Sequence, residues 1–293
     1  MRLHACKAMR VMDNTLQPHL PMPPSDTRSA ASAPDARLAQ SVRFAAATVD
    51  RLASAARRGV AAVGELVFPR VCVGCGGRCD RASGHLCWEC FRLLPLVAGS
   101  YCERCGCPIE TAETHAFRCG ACQAHPPAFD CARVAGRFQG SLRRMAHAFK
   151  YNRALWLTDD LAEIVHGCVV AQFDAAAVDV VVPIPLFRTR ARSRGYNQAA
   201  LLGAAVARRL DRPFAPQALV RVRDTGTQTR LSAAARRINV RHAFTVNGDG
   251  WVAGRTVLLV DDVMTTGATL SEAARALKAG GAWRVWAVAA ARG

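Results

Sequence analysis

The chain has 293 residues, 51% of them hydrophobic, which is enough for one or two domains with a real core and excludes a chain that is disordered throughout. Lys and Arg outnumber Asp and Glu 39 to 22, giving a formal charge of +17 and a pI near 10.1. That excess favours polyanionic partners (nucleic acid, phosphorylated small molecules, an acidic membrane surface), unless it reflects only the arginine-rich translation of a GC-rich genome.

In chain order, residues 1–35 read as a disordered tail, because "PHLPMPPSDTRSAASAPD" is rich in Pro, Ser and Ala and has no apolar period. Over 36–68, Leu38, Val42, Ala45, Val49, Leu52, Ala56, Val60 and Val63 recur at helical spacing among arginines, predicting an amphipathic helix. It either meets a membrane or nucleic acid, or packs on its own domain with solvated arginines. Residues 69–131 form a cysteine-rich region, and residues 132–293 a second domain. In that domain "GSLRRMAHAFK" puts Leu142, Met145, Ala146 and Phe149 on one helix face. "VDVVVPIPL" reads as a buried strand, "NQAALLGAAVARRL" as a helix, "TVLLV" as a second strand, Leu270 to Ala279 as a helix and "WRVWAVAAA" as a third strand. Continuously apolar strands alternating with helices predict an α/β fold, a parallel sheet flanked by helices. A run of roughly 18 apolar residues is missing, so no membrane-spanning segment is expected. The N-terminus shows no compact apolar stretch with a small-residue cleavage site, so a cytoplasmic location is expected.

Eleven of the thirteen cysteines lie between Cys72 and Cys131. In a reducing compartment such clusters read as metal sites. Cys72-x-x-Cys75 pairs with Cys87-x-x-Cys90 across eleven residues, and Cys102-x-x-Cys105 with Cys119-x-x-Cys122 across thirteen. Each pair of turns closes a tetrahedral thiolate shell suited to structural zinc, with no open position for catalysis. Cys107 competes with Cys105, and Cys79 or His85 competes in the first site; Cys79, Cys107 and Cys131 otherwise read as spare thiols. Two such ribbons either stabilise a small coreless module or present a surface to nucleic acid.

"VLLVDDVMTTGATL", Val257 to Leu270, is the richest stretch. A buried strand ends in Asp261 and Asp262, and unpaired carboxylates are costly to bury, so they call for hydroxyls, cations or a metal as partners. Ligands of open α/β sheets bind outside the carboxyl ends of the strands. Thr265, Thr266, Gly267, Ala268 and Thr269 then lead into a helix whose N-terminal amides suit a phosphate. Thr269-x-x-Glu272 matches a capping box and marks the expected helix start. The combination predicts a ribose 5-phosphate site, with phosphate on the loop and sugar hydroxyls on the two aspartates.

Val257–Thr269 resembles the phosphoribosyl pyrophosphate (PRPP) loop of type I phosphoribosyltransferases. From about Leu66 onward the chain resembles the ComF/GntX-like family, a double zinc ribbon followed by a phosphoribosyltransferase domain. "FPRVCVGCG", the two quartets, "AFKYNR", "VVPIPLFRTRARSRGYNQA", "TQTRLSAAARRINVRHAF" and the loop itself carry that likeness. The resemblance implies PRPP or another ligand containing ribose 5-phosphate as substrate, Mg2+ bound with it, and Asp261 and Asp262 near the developing positive charge. It implies a pyrophosphate-side loop at Arg194, Asn197 and Gln198, and a mobile hood containing Gln228, Arg230, Arg236, Arg237 and Asn239. Lys150 matches the family pattern and is either a site residue or a solvated helix end. The family is linked to natural competence, DNA-uptake proteins and single-stranded DNA. Two readings follow: a phosphoribosyltransferase whose acceptor the sequence does not name, and a non-catalytic accessory protein of DNA uptake that binds single-stranded DNA and keeps a vestigial or sensing PRPP site.

Overall fold

The structure is a computed structural model that describes residues 70–81, 84–109, 117–226, 232–248 and 250–293. The tail expected at 1–35, the amphipathic helix expected at 36–68, and Gln228 and Arg230 lie outside them. Val71–Gly293 belong to one compact unit.

The sheet has four strands, all parallel: β1 (Cys131–Arg137), β2 (Val180–Pro183), β5 (Thr256–Met264) and β6 (Arg284–Arg292). Their order is β1-β6-β5-β2, so β5 lies between two neighbours and ends at the middle of one sheet edge. Central position explains its composition: Val257 to Val260 are fully buried, as a strand covered on both faces requires. The three predicted strands are present. β1 (CARVAGR) was not predicted, because its interior Arg133 breaks the apolar run that marked the others.

Helices α3 (Gly140–Tyr151), α4 (Thr158–Gln172) and α6 (Gln198–Leu210) pack on one face, and α8 (Ala268–Ala279) on the other. α3 buries Leu142, Met145, Ala146 and Phe149, the face its spacing predicted. Between α6 and β5 the chain forms a small antiparallel pair, β3 (Leu219–Arg221) with β4 (Phe244–Val246), carrying α7 (Ala233–Val240) between them. α5 (Arg188–Arg194) precedes α6, and two one-turn helices, α1 (Trp88–Arg92) and α2 (Gly120–Ala124), belong to the cysteine region.

That region straddles the free edge of β1. Cys72, Cys87 and Cys90 join the core on the α4 face, while Cys102, Cys105 and Cys122 join the core on the α8 face. The linker between the quartets runs along the edge itself. Val97 N–H donates to Ala135 O at 2.9 Å, Arg137 N–H to Pro95 O at 2.8 Å and Ala132 N–H to Arg104 O at 2.8 Å. These bonds satisfy strand groups that would otherwise face solvent.

Candidate functional site

Beyond Val260 the central strand emerges, and Asp261, Asp262 and Val263 are half-buried. Asp262 N–H donates to Asp261 Oδ1 and Val263 N–H to Asp262 Oδ1, each at 2.9 Å. These bonds pin both carboxylates at the strand end. Desolvation, then the neighbouring Asp262 charge, push the Asp261 carboxyl well above the usual carboxylate range, although Lys150 pulls it down. Two adjacent carboxylates with one ammonium beside them form a cation-deficient pair, which fits a site completed by a divalent ion or by ligand hydroxyls.

Lys150 is that ammonium. It sits in the last turn of α3, with Nζ 3.6 Å from Asp262 Oδ2. Its carbonyl accepts from Gln198 Nε2 at 3.4 Å, and Gln198 Oε1 accepts from Arg194 Nη1 at 2.8 Å. One residue therefore ties the basic loop to the acidic one. Gln198 is 2% exposed, and Asn197 caps α6 through Ala199 N–H while donating to Ile184 O, so both amides are engaged within the protein. Arg194 is the charged group of this loop that the Gln198 bond orients.

After Met264 the loop turns sharply. Thr265 and Thr266 are exposed, and Gly267 has φ +77°. A Cβ there would strain the backbone and lie 2.6 Å from Met264 Cε. The expected capping box does not form. α8 starts at Ala268 with Gly267 as its cap, and Glu272 accepts instead from His242 N–H at 2.8 Å and Arg275 Nε at 3.2 Å. The left-handed glycine allows the helix to begin two residues early. Gly267 itself has no side chain to cap it; Thr266 Oγ1 accepts from Ala268 N–H at 3.4 Å, and Thr269 falls in a first turn whose amides face the loop.

Arg221 was not singled out in the sequence. It lies at the end of β3, 8% exposed, against the Phe244 ring and bonded to Thr225 Oγ1, with its Nε unpartnered. Burial, then Arg190, lower its pKa, and Asp261 and Asp224 oppose them, which places this guanidinium in the electrostatic reach of the acid pair. Thr189 of α5 donates to Asp224 at 3.2 Å, joining the basic loop to the base of the β3–β4 unit.

On the other side of the loop lies a cleft of about 870 Å³. Its walls are α2 with Pro126 and Pro127, α7, Thr265–Ala268 and the first turns of α8. Arg236, Arg237, Arg241, Arg275, Arg292 and His125 line it. Arg292, at the end of β6, donates from Nη1 to Cys105 O at 2.9 Å and lies 3.7 Å from Met264 Sδ, so it links the second quartet to the strand that feeds the loop.

Both quartets are assembled. In each, the four sulfurs lie within 4.8 Å of one another. Cys72 Sγ accepts from Gly74 N–H at 3.3 Å and Cys87 N–H at 3.2 Å, and Cys102 Sγ from Cys119 N–H at 3.3 Å, as thiolate ligands require. Without a cation, such thiols conflict. A hydrogen bond from Cys105 pulls Cys102 down to about 4, and the same bond, with burial, pushes Cys105 far up. A dication resolves this, and the four-sulfur donor set suits zinc. The competing ligands stand apart: Cys107 reaches Pro108 O, Cys79 reaches Gly84 O and His85 pairs with Asp160. Cys131 is disulfide-bonded rather than spare.

Family models match in two places: a double zinc ribbon domain at residues 63–123 and a phosphoribosyl transferase domain at residues 197–293. The chain is 33% identical to Competence protein F of Haemophilus influenzae, over 75% of this chain and 96% of that protein. It is 32% identical to the DNA utilization protein YhgH of Escherichia coli K12, over 74% of this chain and 94% of the relative. Competence protein ComFC of Bacillus subtilis is 30% identical, over 66% of this chain and 77% of its own. The two quartets are accordingly zinc sites of the ribbon type.

Proposed function

The chain belongs to the competence protein F family, and we propose that it binds PRPP together with Mg2+, transfers its phosphoribosyl group, and serves DNA uptake. The observation that carries this is the acid pair, Asp261 and Asp262, leaving the centre of the sheet directly before the glycine-capped helix α8. In this reading the 5-phosphate sits on the α8 amides and the hydroxyls of Thr265, Thr266 and Thr269, where the helix dipole favours an anion. Asp261 and Asp262 accept the ribose hydroxyls and face the positive charge that develops on the sugar as pyrophosphate departs. Arg194 and Arg221 provide donors for the pyrophosphate, and Lys150 holds Asp262 in place. Mg2+, held beside the acid pair, would screen the charge of the leaving group. α7 faces the Thr265–Ala268 loop across the cleft, the side from which a bound ligand would be covered.

Calorimetry with PRPP and Mg2+ on the zinc-loaded protein tests the reading. Wild type is expected to bind saturably, and Asp261→Asn/Asp262→Asn to bind at least about 100-fold more weakly, given charged hydrogen bonds of roughly 1.5–3 kcal/mol each. No heat of binding in wild type would sink it.

The arginine-lined cleft favours a second reading, an extended polyanion such as single-stranded DNA lying between α2 and α7. Oligothymidylate affinity should then fall steeply with salt, and Arg237→Glu/Arg241→Glu should flatten that slope. Binding indifferent to both would remove this reading.

A further inference from the structure

A second groove, of about 460 Å³, includes neither residue of the acid pair in its lining. It runs between the inter-ribbon linker, β1 and α4. Phe91, Leu94, Val97, Ile164 and Ala171 make it largely apolar. Arg133, from the middle of β1, borders it and is only 2% exposed.

Arg133 is held rigidly. Nη1 donates to Glu103 O and Ala132 O, both at 2.8 Å, and the guanidinium lies over the Tyr101 ring with 4.7 Å to its centroid. The Tyr101 hydroxyl is itself bonded to Gln172. The opposite edge of the guanidinium is different: Nε and Nη2 are buried and have no partner. These two nitrogens form one edge of the planar group, the fork that grips a carboxylate or phosphate through two parallel bonds. Leaving such donors buried and unpaired is costly.

Among the described residues no carboxylate answers that fork. Glu163, on the rim, pairs with Arg81 at 3.5 Å. Burial pushes the Cys168 thiol, also on the wall, up to about 12, so it stays neutral near pH 7. Desolvation lowers the Arg133 pKa, opposed first by the adjoining Tyr101 hydroxyl.

We propose that this groove is a second ligand site, for a small carboxylate with an apolar body. The carboxylate pairs with Nε and Nη2 of Arg133, and the hydrocarbon lies on Phe91, Leu94, Val97, Ile164 and Ala171. The site is separate from the loop at 261–269 and does not depend on the reading of that loop.

The test uses full-length, zinc-loaded protein and three probes: octanoate, octanol and inorganic phosphate. Octanoate should bind saturably, one per chain. Octanol, which lacks the charge, and phosphate, which lacks the body, should each bind about 10- to 100-fold more weakly. Arg133→Lys, which keeps the charge but loses the fork, should cost octanoate about tenfold, and Arg133→Met more. Ala171→Trp fills the groove from the exposed side of α4 and leaves Arg133 in place, so it serves if the arginine variants fail to fold. It should abolish octanoate binding and leave PRPP binding unchanged. Octanoate binding that does not saturate, or that survives Ala171→Trp, overturns the proposal. Phosphate binding as tightly as octanoate overturns the requirement for an apolar body.

Discussion

The two ribbons share a ligand set and a turn construction, yet they stand in different relations to the rest of the molecule. The first packs into the core beneath α3 and α4 and is fastened there by Asp160. That side chain is 3% exposed; it accepts from His85 N–H at 3.0 Å and lies 2.9 Å from His85 Nδ1. The second packs into the opposite core and, through Cys105, Cys122 and α2, forms a wall of the cleft that opens onto the Thr265–Ala268 loop. A duplicated unit has thus been divided between anchoring and site-building. The metal is structural in both; what differs is the surface each ribbon's loops are left to present.

The largest effect should come from the anchoring side. Cys72→Ser removes a buried ligand, and structural zinc in small modules is worth about 10–16 kcal/mol near neutral pH. Metal content should fall from two ions to one per chain, with a large drop in Tm, while the folded remainder binds PRPP as before. Cys119→Ser, at a part-exposed ligand of the second ribbon, should also release one ion but weaken oligothymidylate binding in the cleft as well. Equal effects of the two substitutions on ligand binding would erase the distinction between the ribbons.

Two aspartates sharpen the comparison, because they should move stability in opposite directions. Asp160→Asn weakens the clamp on the first ribbon and should cost about 1.5–3 kcal/mol, the worth of hydrogen bonds to a charged group. Asp261→Asn should instead stabilise the protein, by about 1 kcal/mol, while abolishing PRPP binding. The sign follows from its raised pKa. Between the ordinary carboxylate value of 3.8 and its higher folded value, the folded state binds more protons than the unfolded one. Stability therefore declines as pH rises through that window, and the asparagine variant should lack this part of the decline in a series of thermal melts. A destabilised Asp261→Asn would mean that the acid pair serves the fold rather than a ligand.

Much of this was legible from local pattern. The quartets, the central strand and its loop are contiguous or nearly so, and their chemistry is set by residue type at short spacing. Four things were not. Lys150, left open between a site residue and a solvated helix end, meets Asp262 from α3, and Arg221 feels the charge of Asp261 from β3; no short-range signal links such distant segments. Asn197 and Gln198 read as ligand donors because amides beside arginines suit anions, but where α6 starts and how its first turn is buried determine what those amides meet. The capping box failed because a glycine at positive φ competed for the helix start, and the rule for Thr-x-x-Glu does not weigh that alternative. β1 was missed for a related reason: its buried arginine belongs to a groove between elements that the sequence does not show as neighbours.

The linker that pairs with β1 has a consequence for handling the protein. Pro95 and Val97, with Arg104 of the second ribbon's first turn, occupy hydrogen-bonding positions that another chain could otherwise take. Both ends of that linker are held by zinc thiolates, so oxidation or chelation does more than loosen two small modules. It uncovers a parallel sheet at its margin, and strand-to-strand association between molecules becomes available. Turbidity after EDTA treatment should accordingly grow with protein concentration and precede the loss of helical circular dichroism. A zinc-replete buffer is then what keeps the sheet from acting as a template.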